Sequence, residues 1–207
     1  EVCKYVYPNR VAYSEQSFAD ESYDRWLIYK ANNFYDFPRE NGALKIIKGI
    51  ENVKVLAVFE NTFSVYNAYS TVKTSNEELI IGSGGMFQAA PLEYSKSEVG
   101  YGGTDNSQVY ITNFGTVWVD SKRSKIYQLS GKVDELSSPQ YKISRYLSSN
   151  LQFKIKEYFP SVDTDNAYKG IGFSIGWDEK NSRLFLTKLD YEPVSQDIIY
   201  DGVQQIF

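Results

Sequence analysis

Two adjacent acid pairs, Glu77-Glu78 and Asp134-Glu135, are the first places where this chain could do chemistry. Hydrolysis of a glycosidic bond needs two carboxylates facing each other across a cleft, about 5–10 Å apart. Neighbouring residues of a strand point to opposite faces, and acids in loops are solvated, so both pairs are expected to be structural. Asp163-Thr164-Asp165-Asn166 starts like a calcium loop, but the next alternate position is Ala167 and no glutamate closes the loop. Gly100-Tyr101-Gly102-Gly103 resembles a phosphate cradle, yet no Lys-Ser follows it and no helix is predicted after it, so a glycine-lined turn is expected. Trp177-Asp178 is the dipeptide of WD repeats, which also require a Gly-His pair. Tyr66, Tyr101, Tyr110 and Trp118 could stack on sugars or on a partner protein. Filling the spaces between packed sheets is the stronger expectation for them.

Composition narrows the chemistry further. The chain has no histidine, so it cannot build a Ser-His-Asp or Cys-His arrangement and lacks the commonest metal ligand. The single cysteine, Cys3, cannot close an intrachain disulfide and stands beside the terminus, a poor place for a buried nucleophile. The expectation is a protein that is not an enzyme, with no catalytic, cofactor-binding or metal-binding residue assigned, no cofactor, and binding residues left open. With 22 basic against 26 acidic residues the net charge is −4, which argues against sequence-blind nucleic-acid binding through a concentrated cationic face. No apolar run approaches the length of a membrane span and no signal-peptide pattern opens the chain, so a soluble protein is expected.

The elements that must position these residues are strands. Eighteen tyrosines and 12 phenylalanines against one methionine suit a pleated, half-buried surface. Val53–Ala68, Thr116–Gly131 and Gly172–Lys188 each read as two strands joined by a polar turn, at Glu60-Asn61, Ser121-Lys122-Arg123-Ser124 and Asp178-Glu179-Lys180-Asn181. Their centres, Asn61, Arg123 and Asn181, are 62 and then 58 residues apart. That repetition points to stacked sheets or propeller blades. In the first unit Arg10–Ser14, Leu44–Lys48, Val53–Phe59 and Thr62–Tyr69 are expected to form one four-stranded blade, with Arg25–Lys30 a further strand or a short buried helix. Thr71–Glu78 is a polar separator. Gln108–Thr112, Thr116–Asp120 and Lys125–Ser130 supply the second blade, a short helix occupies the first half of Ser144–Glu157, and Ile171–Trp177 with Arg183–Leu189 supply the third.

The expected fold is therefore all-β, a partial β-propeller of about three antiparallel blades with a short helical insertion. Its approximate units are 1–70, 71–133 and 134–190, with 191–207, including Ile198-Ile199-Tyr200, a strand leading into the next part. The first residue is Glu1 and not methionine, and propellers close with about 4–8 blades. Other segments of a parent polypeptide, or a neighbouring chain, are expected to complete the ring and cover open edges.

Tyr7-Pro8-Asn9-Arg10-Val11-Ala12-Tyr13-Ser14, followed by Val53-Lys54-Val55-Leu56-Ala57-Val58-Phe59-Glu60-Asn61-Thr62-Phe63-Ser64-Val65-Tyr66, resembles the repeat of β-propeller structural proteins in tailed bacteriophages. The same resemblance extends over Gly100-Tyr101-Gly102-Gly103, Thr116-Val117-Trp118-Val119-Asp120 and Lys125-Ile126-Tyr127-Gln128-Leu129. It continues through Gly176-Trp177-Asp178, Arg183-Leu184-Phe185-Leu186-Thr187-Lys188 and Asp190-Tyr191. The tail muzzle proteins of crAss-like phages are similar, and packaged-DNA stabilisation proteins of podoviruses more remotely so. Those proteins are far longer than this chain.

The resemblance implies a virion structural protein of a phage tail or head-to-tail complex, assembled as a ring of identical copies with other tail and portal-proximal proteins. Such a ring encloses and closes the DNA exit channel, so nucleic acid is met only by enclosure, and no membrane is involved. The motifs carry packing and turn signals and no catalytic signature. A carbohydrate- or receptor-binding propeller module is the competing expectation, marked by exposed aromatics in a concave pocket. A glycosidase comes third.

Overall fold

The computed structural model describes residues 5–17, 22–50, 53–68, 71–73, 78–80, 86–87, 90–93, 109–120, 123, 125–138, 143–150 and 172–189. Strands dominate them, arranged as several small antiparallel sheets with one short helix. The chain divides into two compact units, Glu1–Gly100 and Tyr101–Phe207. No helix among the described residues is long and apolar enough to cross a membrane.

In the first unit β1 (Arg10–Ala12) pairs with β2 (Phe34–Asp36) as a separate two-stranded ribbon. The expected first blade is corrected here. The N-terminal strand does not join β3 (Leu44–Gly49), β4 (Lys54–Phe59) and β5 (Phe63–Asn67); the fourth strand of that sheet is β8 (Leu92–Glu93), on the free edge of β5. The polar stretch after β5 is likewise more than a separator, since β6 (Thr71–Lys73) pairs with β7 (Glu78–Ile80). Arg25–Lys30 is neither strand nor buried helix: Arg25–Leu27 makes a single 3-10 turn with no buried residue.

Why β1 prefers β2 is local chemistry. The Arg10 guanidinium meets the Asp36 carboxylate through both edges, Nε to Oδ1 at 2.6 Å and Nη2 to Oδ2 at 2.7 Å. The ribbon continues past the strands as Tyr13 N donates to Asn33 O at 3.0 Å and Glu15 N to Ile28 O at 2.9 Å, with Lys30 paired to Glu15. Alternation then sends Val11 and Tyr35 inward and Arg10, Phe34 and Asp36 outward.

The β4–β5 hairpin is buried on both faces, which explains its nearly unbroken apolar run. One face, with Ala57, Phe59 and Tyr66, packs under Val11 and Phe37; the other carries buried Leu56, Val58, Phe63 and Val65. Phe37 is the hub, with ring centres 4.8 Å from Tyr35, 4.8 Å from Phe59, 6.0 Å from Phe87 and 6.2 Å from Tyr66. At the hairpin tip, Glu60 N and Asn61 N donate to the carbonyls of Ala43 and Asn41 at 2.9 and 3.0 Å. Gly42, at φ +80°, passes so close that a Cβ there would lie 2.7 Å from Glu60 Cβ.

Burial pushes the Tyr66 phenol up to about 12. The unfolded chain releases that proton near pH 10, so this contribution is full below pH 10 and is lost as pH rises toward 12. A two-unit shift corresponds to about 2.7 kcal/mol at most. Urea unfolding should therefore show an alkaline loss of stability between about pH 10 and 12 that Tyr66→Phe reduces. An unchanged alkaline limb in the variant would contradict this assignment.

The second unit holds a four-stranded meander in chain order, β9 (Val109–Thr112), β10 (Gly115–Asp120), β11 (Lys125–Ser130) and β12 (Lys132–Glu135). Helix α1 (Ser144–Asn150) follows, and β13 (Gly172–Asp178) pairs along its whole length with β14 (Arg183–Leu189). The three expected hairpins, β4–β5, β10–β11 and β13–β14, and the short helix are all present. Val117, Val119 and Ile126 on one face of the meander share a core with Leu147 of α1 and with Ile175, Leu184 and Leu186 of the third hairpin.

Candidate functional site

The residues that suggested chemistry in the sequence are not gathered into a reaction centre. Asp134 and Glu135 sit side by side on β12 and point to opposite faces. Lys132 Nζ lies 3.1 Å from Asp134 and Lys125 Nζ 2.8 Å from Glu135, which also accepts from Ser137 Oγ at 3.2 Å. Tyr66 and Trp118 are core residues at 5% and 1% exposure, whereas Tyr110 is half-exposed. Trp177 meets Phe114 edge-on, with ring centres 6.1 Å apart. Glu78 opens β7. Cys3, Glu77, Gly100-Tyr101-Gly102-Gly103, Asp163-Thr164-Asp165-Asn166, Asp190-Tyr191 and Ile198-Ile199-Tyr200 lie outside the described residues. Among the described residues no three His, Cys, Asp or Glu side chains stand close enough to share a metal ion.

Two turns carry the same chemistry, a signal that inspection of isolated motifs overlooks. Asp120 closes β10 and accepts from Arg123 twice, from its backbone N at 3.1 Å and from Nη1 at 2.8 Å. Asp178 closes β13 and accepts from Asn181 in the same two ways, at 3.2 Å from N and 2.6 Å from Nδ2. Asp120-Ser121-Lys122-Arg123-Ser124-Lys125-Ile126-Tyr127 and Asp178-Glu179-Lys180-Asn181-Ser182-Arg183-Leu184-Phe185 superimpose under a shift of 58 residues (120 to 178). An Asp side chain that satisfies backbone donors two or three positions on is a turn device, so the WD-like dipeptide at Trp177-Asp178 acts as a structural cap.

The Asn181 side-chain amide, then the turn's backbone N–H groups, hold the Asp178 carboxyl below its ordinary value. The Asp36 carboxyl is lowered chiefly by its hydrogen bond from Arg10. Both contributions are present above the unfolded carboxylate value near pH 3.9 and are lost as pH falls through the depressed folded values. Asp120 is fully buried, so Asp120→Ala should cost about 1.5–3 kcal/mol through its charge-assisted bonds. Asp178→Ala, at an exposed turn, should cost less. Chemical denaturation of the two variants checks this, and an equal or larger loss for Asp178→Ala would overturn it.

The 58-residue shift also equates faces. Thr116, Trp118, Asp120, Tyr127 and Leu129 occupy one face of β10–β11 and are all buried, with the Trp118 and Tyr127 rings centred 5.8 Å apart. Their equivalents are Ser174, Gly176, Asp178, Phe185 and Thr187, on the outer face of β13–β14, where Phe185 is 51% exposed. The inner faces of the two hairpins are equivalent too, and they pack against each other. Trp177, next to the third hairpin's turn, meets Phe114 in the β9–β10 turn, at the end of β10 opposite its own hairpin turn. Successive blades of a propeller meet through unlike faces; β10–β11 and β13–β14 meet through like faces and run in opposed directions. The third hairpin is thus a facing layer on the second sheet.

Exposed aromatic surface is concentrated in the first unit. Arg10 is sandwiched between the rings of Tyr7 and Phe34, at 3.9 and 3.8 Å from their centres, on the outer face of β1–β2. The 3-10 turn beside it presents Trp26 at 55% exposure, with Tyr23, Leu27 and Tyr29 also exposed. Sequence alternation gave no hint of this loop's exposure, because Arg25-Trp26-Leu27-Ile28-Tyr29-Lys30 has the composition of a buried element.

A mostly β chain with capped hairpins, two four-stranded sheets and outward-facing aromatic surfaces is what fold and site define. It matches no family model, and no curated protein matches it either.

Proposed function

We propose that this chain is a structural protein of a tailed-phage virion, part of the tail or head-to-tail complex, acting by assembly around the DNA exit channel and not by turnover. The observation that supports this most is the pair of four-stranded antiparallel sheets whose central hairpins, β4–β5 and β10–β11, are buried on both faces. Layers packed on both sides are what a stacked or ring-like scaffold requires, and four-stranded meanders are the unit of propeller blades. In this proposal the two meanders are blades of a propeller completed by other segments of the parent polypeptide or a neighbouring chain. Identical copies form a ring among other tail and portal-proximal proteins, and DNA is met only by enclosure.

Antibody labelling of particles of the encoding phage, viewed by electron microscopy, tests the proposal. Label on the tail axis or at the head–tail junction is the expected result. A virion that lacks the chain, with the protein confined to the infected cell, would overturn it. The exposed Tyr23, Trp26 and Tyr29 favour one second reading, a receptor- or carbohydrate-binding module, for which saturable glycan binding lost in Trp26→Ala is the discriminating result.

A further inference from the structure

We infer that the outer face of the third hairpin is a docking slot for the Trp26 loop of a second copy of this chain. The inference rests on the assembly reading above and names the surfaces that assembly uses. Its starting point is the internal equivalence of faces. In β10–β11 the position across from Tyr127 holds Trp118, and both are 1% exposed. In β13–β14 the position across from Phe185 holds Gly176, so the indole that covers the aromatic ring in one hairpin is missing from the other. A Cβ placed on Gly176 would meet Phe185 Cβ at 3.9 Å, an ordinary contact, so the slot has room for a side chain. Phe185 lies half open beside it.

The occupant follows from what the chain has to offer. Of its three tryptophans, Trp118 is buried in the second sheet and Trp177 stands against Phe114. Trp26 is 55% exposed on a 3-10 turn, with no ring in contact among those the structure records for it. Charge supports the same pairing: the exposed Asp24 stands two residues before Trp26, and the exposed Arg183 stands two residues before Phe185 on the slot's own face. Trp26 seated over Gly176 brings an acid toward a base. Donor and slot are different surfaces, so the contact is head-to-tail, and head-to-tail contacts propagate into a ring or an open filament.

Sedimentation velocity on the full 207-residue chain across a concentration series tests this. The wild type should form concentration-dependent oligomers. Trp26→Ala should weaken association about thirtyfold, the scale of a tryptophan hot spot. Asp24→Arg and Arg183→Asp should each weaken it about fivefold, and the double variant should recover. Gly176→Trp fills the slot from within, as Trp118 does in the second hairpin, and should abolish oligomers while leaving the thermal midpoint in place. The decisive arm mixes Trp26→Ala with Gly176→Trp. Each retains one complementary surface, so the mixture should give a capped one-to-one dimer that neither forms alone. Wild-type oligomers insensitive to all these changes would overturn the docking inference and leave the assembly reading standing. A wild type that stays monomeric at every concentration would overturn the inference as well, and virion labelling would then decide the broader reading alone. Binding of the loop to glycans or to another protein, with no self-association, also overturns it.

Discussion

Phe37→Ala should lower the unfolding free energy by about 3–5 kcal/mol, the cost of deleting a fully buried aromatic ring. Phe37 is 2% exposed and touches four other rings. It also ties the outer ribbon to the first sheet, since its backbone N donates to Asn9 O at 3.0 Å and its carbonyl accepts from the Asn9 side chain. The cavity left by alanine would be lined by Tyr35, Phe59, Tyr66 and Phe87, large rings that cannot collapse into it without leaving their own partners. Urea unfolding followed by tyrosine fluorescence gives the number. A loss below about 1 kcal/mol would mean that the ribbon is a loose cover and not part of the core.

Gly115→Ala should be as damaging in the second unit, for a different reason. Gly115 sits at φ +126°, and a Cβ there would lie 2.4 Å from the Leu129 carbonyl oxygen and 2.9 Å from Ser130 Cβ. The backbone conformation costs a non-glycine residue about 1–3 kcal/mol and forcing the neighbouring strand aside about 1–3 kcal/mol more. Yielding is difficult because the β9–β10 turn is held by Thr112 Oγ1, which donates to Gly115 O at 2.7 Å and accepts from Phe114 N at 3.1 Å. Gly131→Ala is the matched control, at φ +79° with nothing within 4 Å of the added carbon. It should show only the backbone cost, so equal losses for the two variants would remove the steric argument.

The three hairpins were legible because their strands alternate or run apolar between polar turns, and each pairing is closed by a few residues of chain. The α1 helix was legible from the spacing of Leu147 among Ser and Asn. The partner of β1 was not, since Arg10 and Asp36 are 26 residues apart in sequence and only folding makes them an ion pair. Val117-Trp118-Val119-Asp120 hides a different lesson. A buried carboxylate at Asp120 looks like a surface residue in sequence, and it takes the bond to the Arg123 backbone to see why it is inside. The equivalence of the Asp120 and Asp178 turns was present in the letters all along. Their opposed packing was not, because a repeat specifies the unit and leaves the operator relating two units to the side chains between them.

The facing of β10–β11 by β13–β14 has a consequence for how the chain emerges during synthesis. The meander β9–β12 pairs only neighbours in sequence, so it closes as soon as it is made. Its Val117, Val119 and Ile126 face then waits for Leu186, which follows Ile126 by 60 residues. At about 5–20 residues per second that face stays uncovered for roughly 3–12 s, long enough for a nascent sheet to meet another of its kind on the same polysome. The order of the elements along the chain therefore makes chaperone cover, or rapid capture by an assembling neighbour, part of the protein's biogenesis.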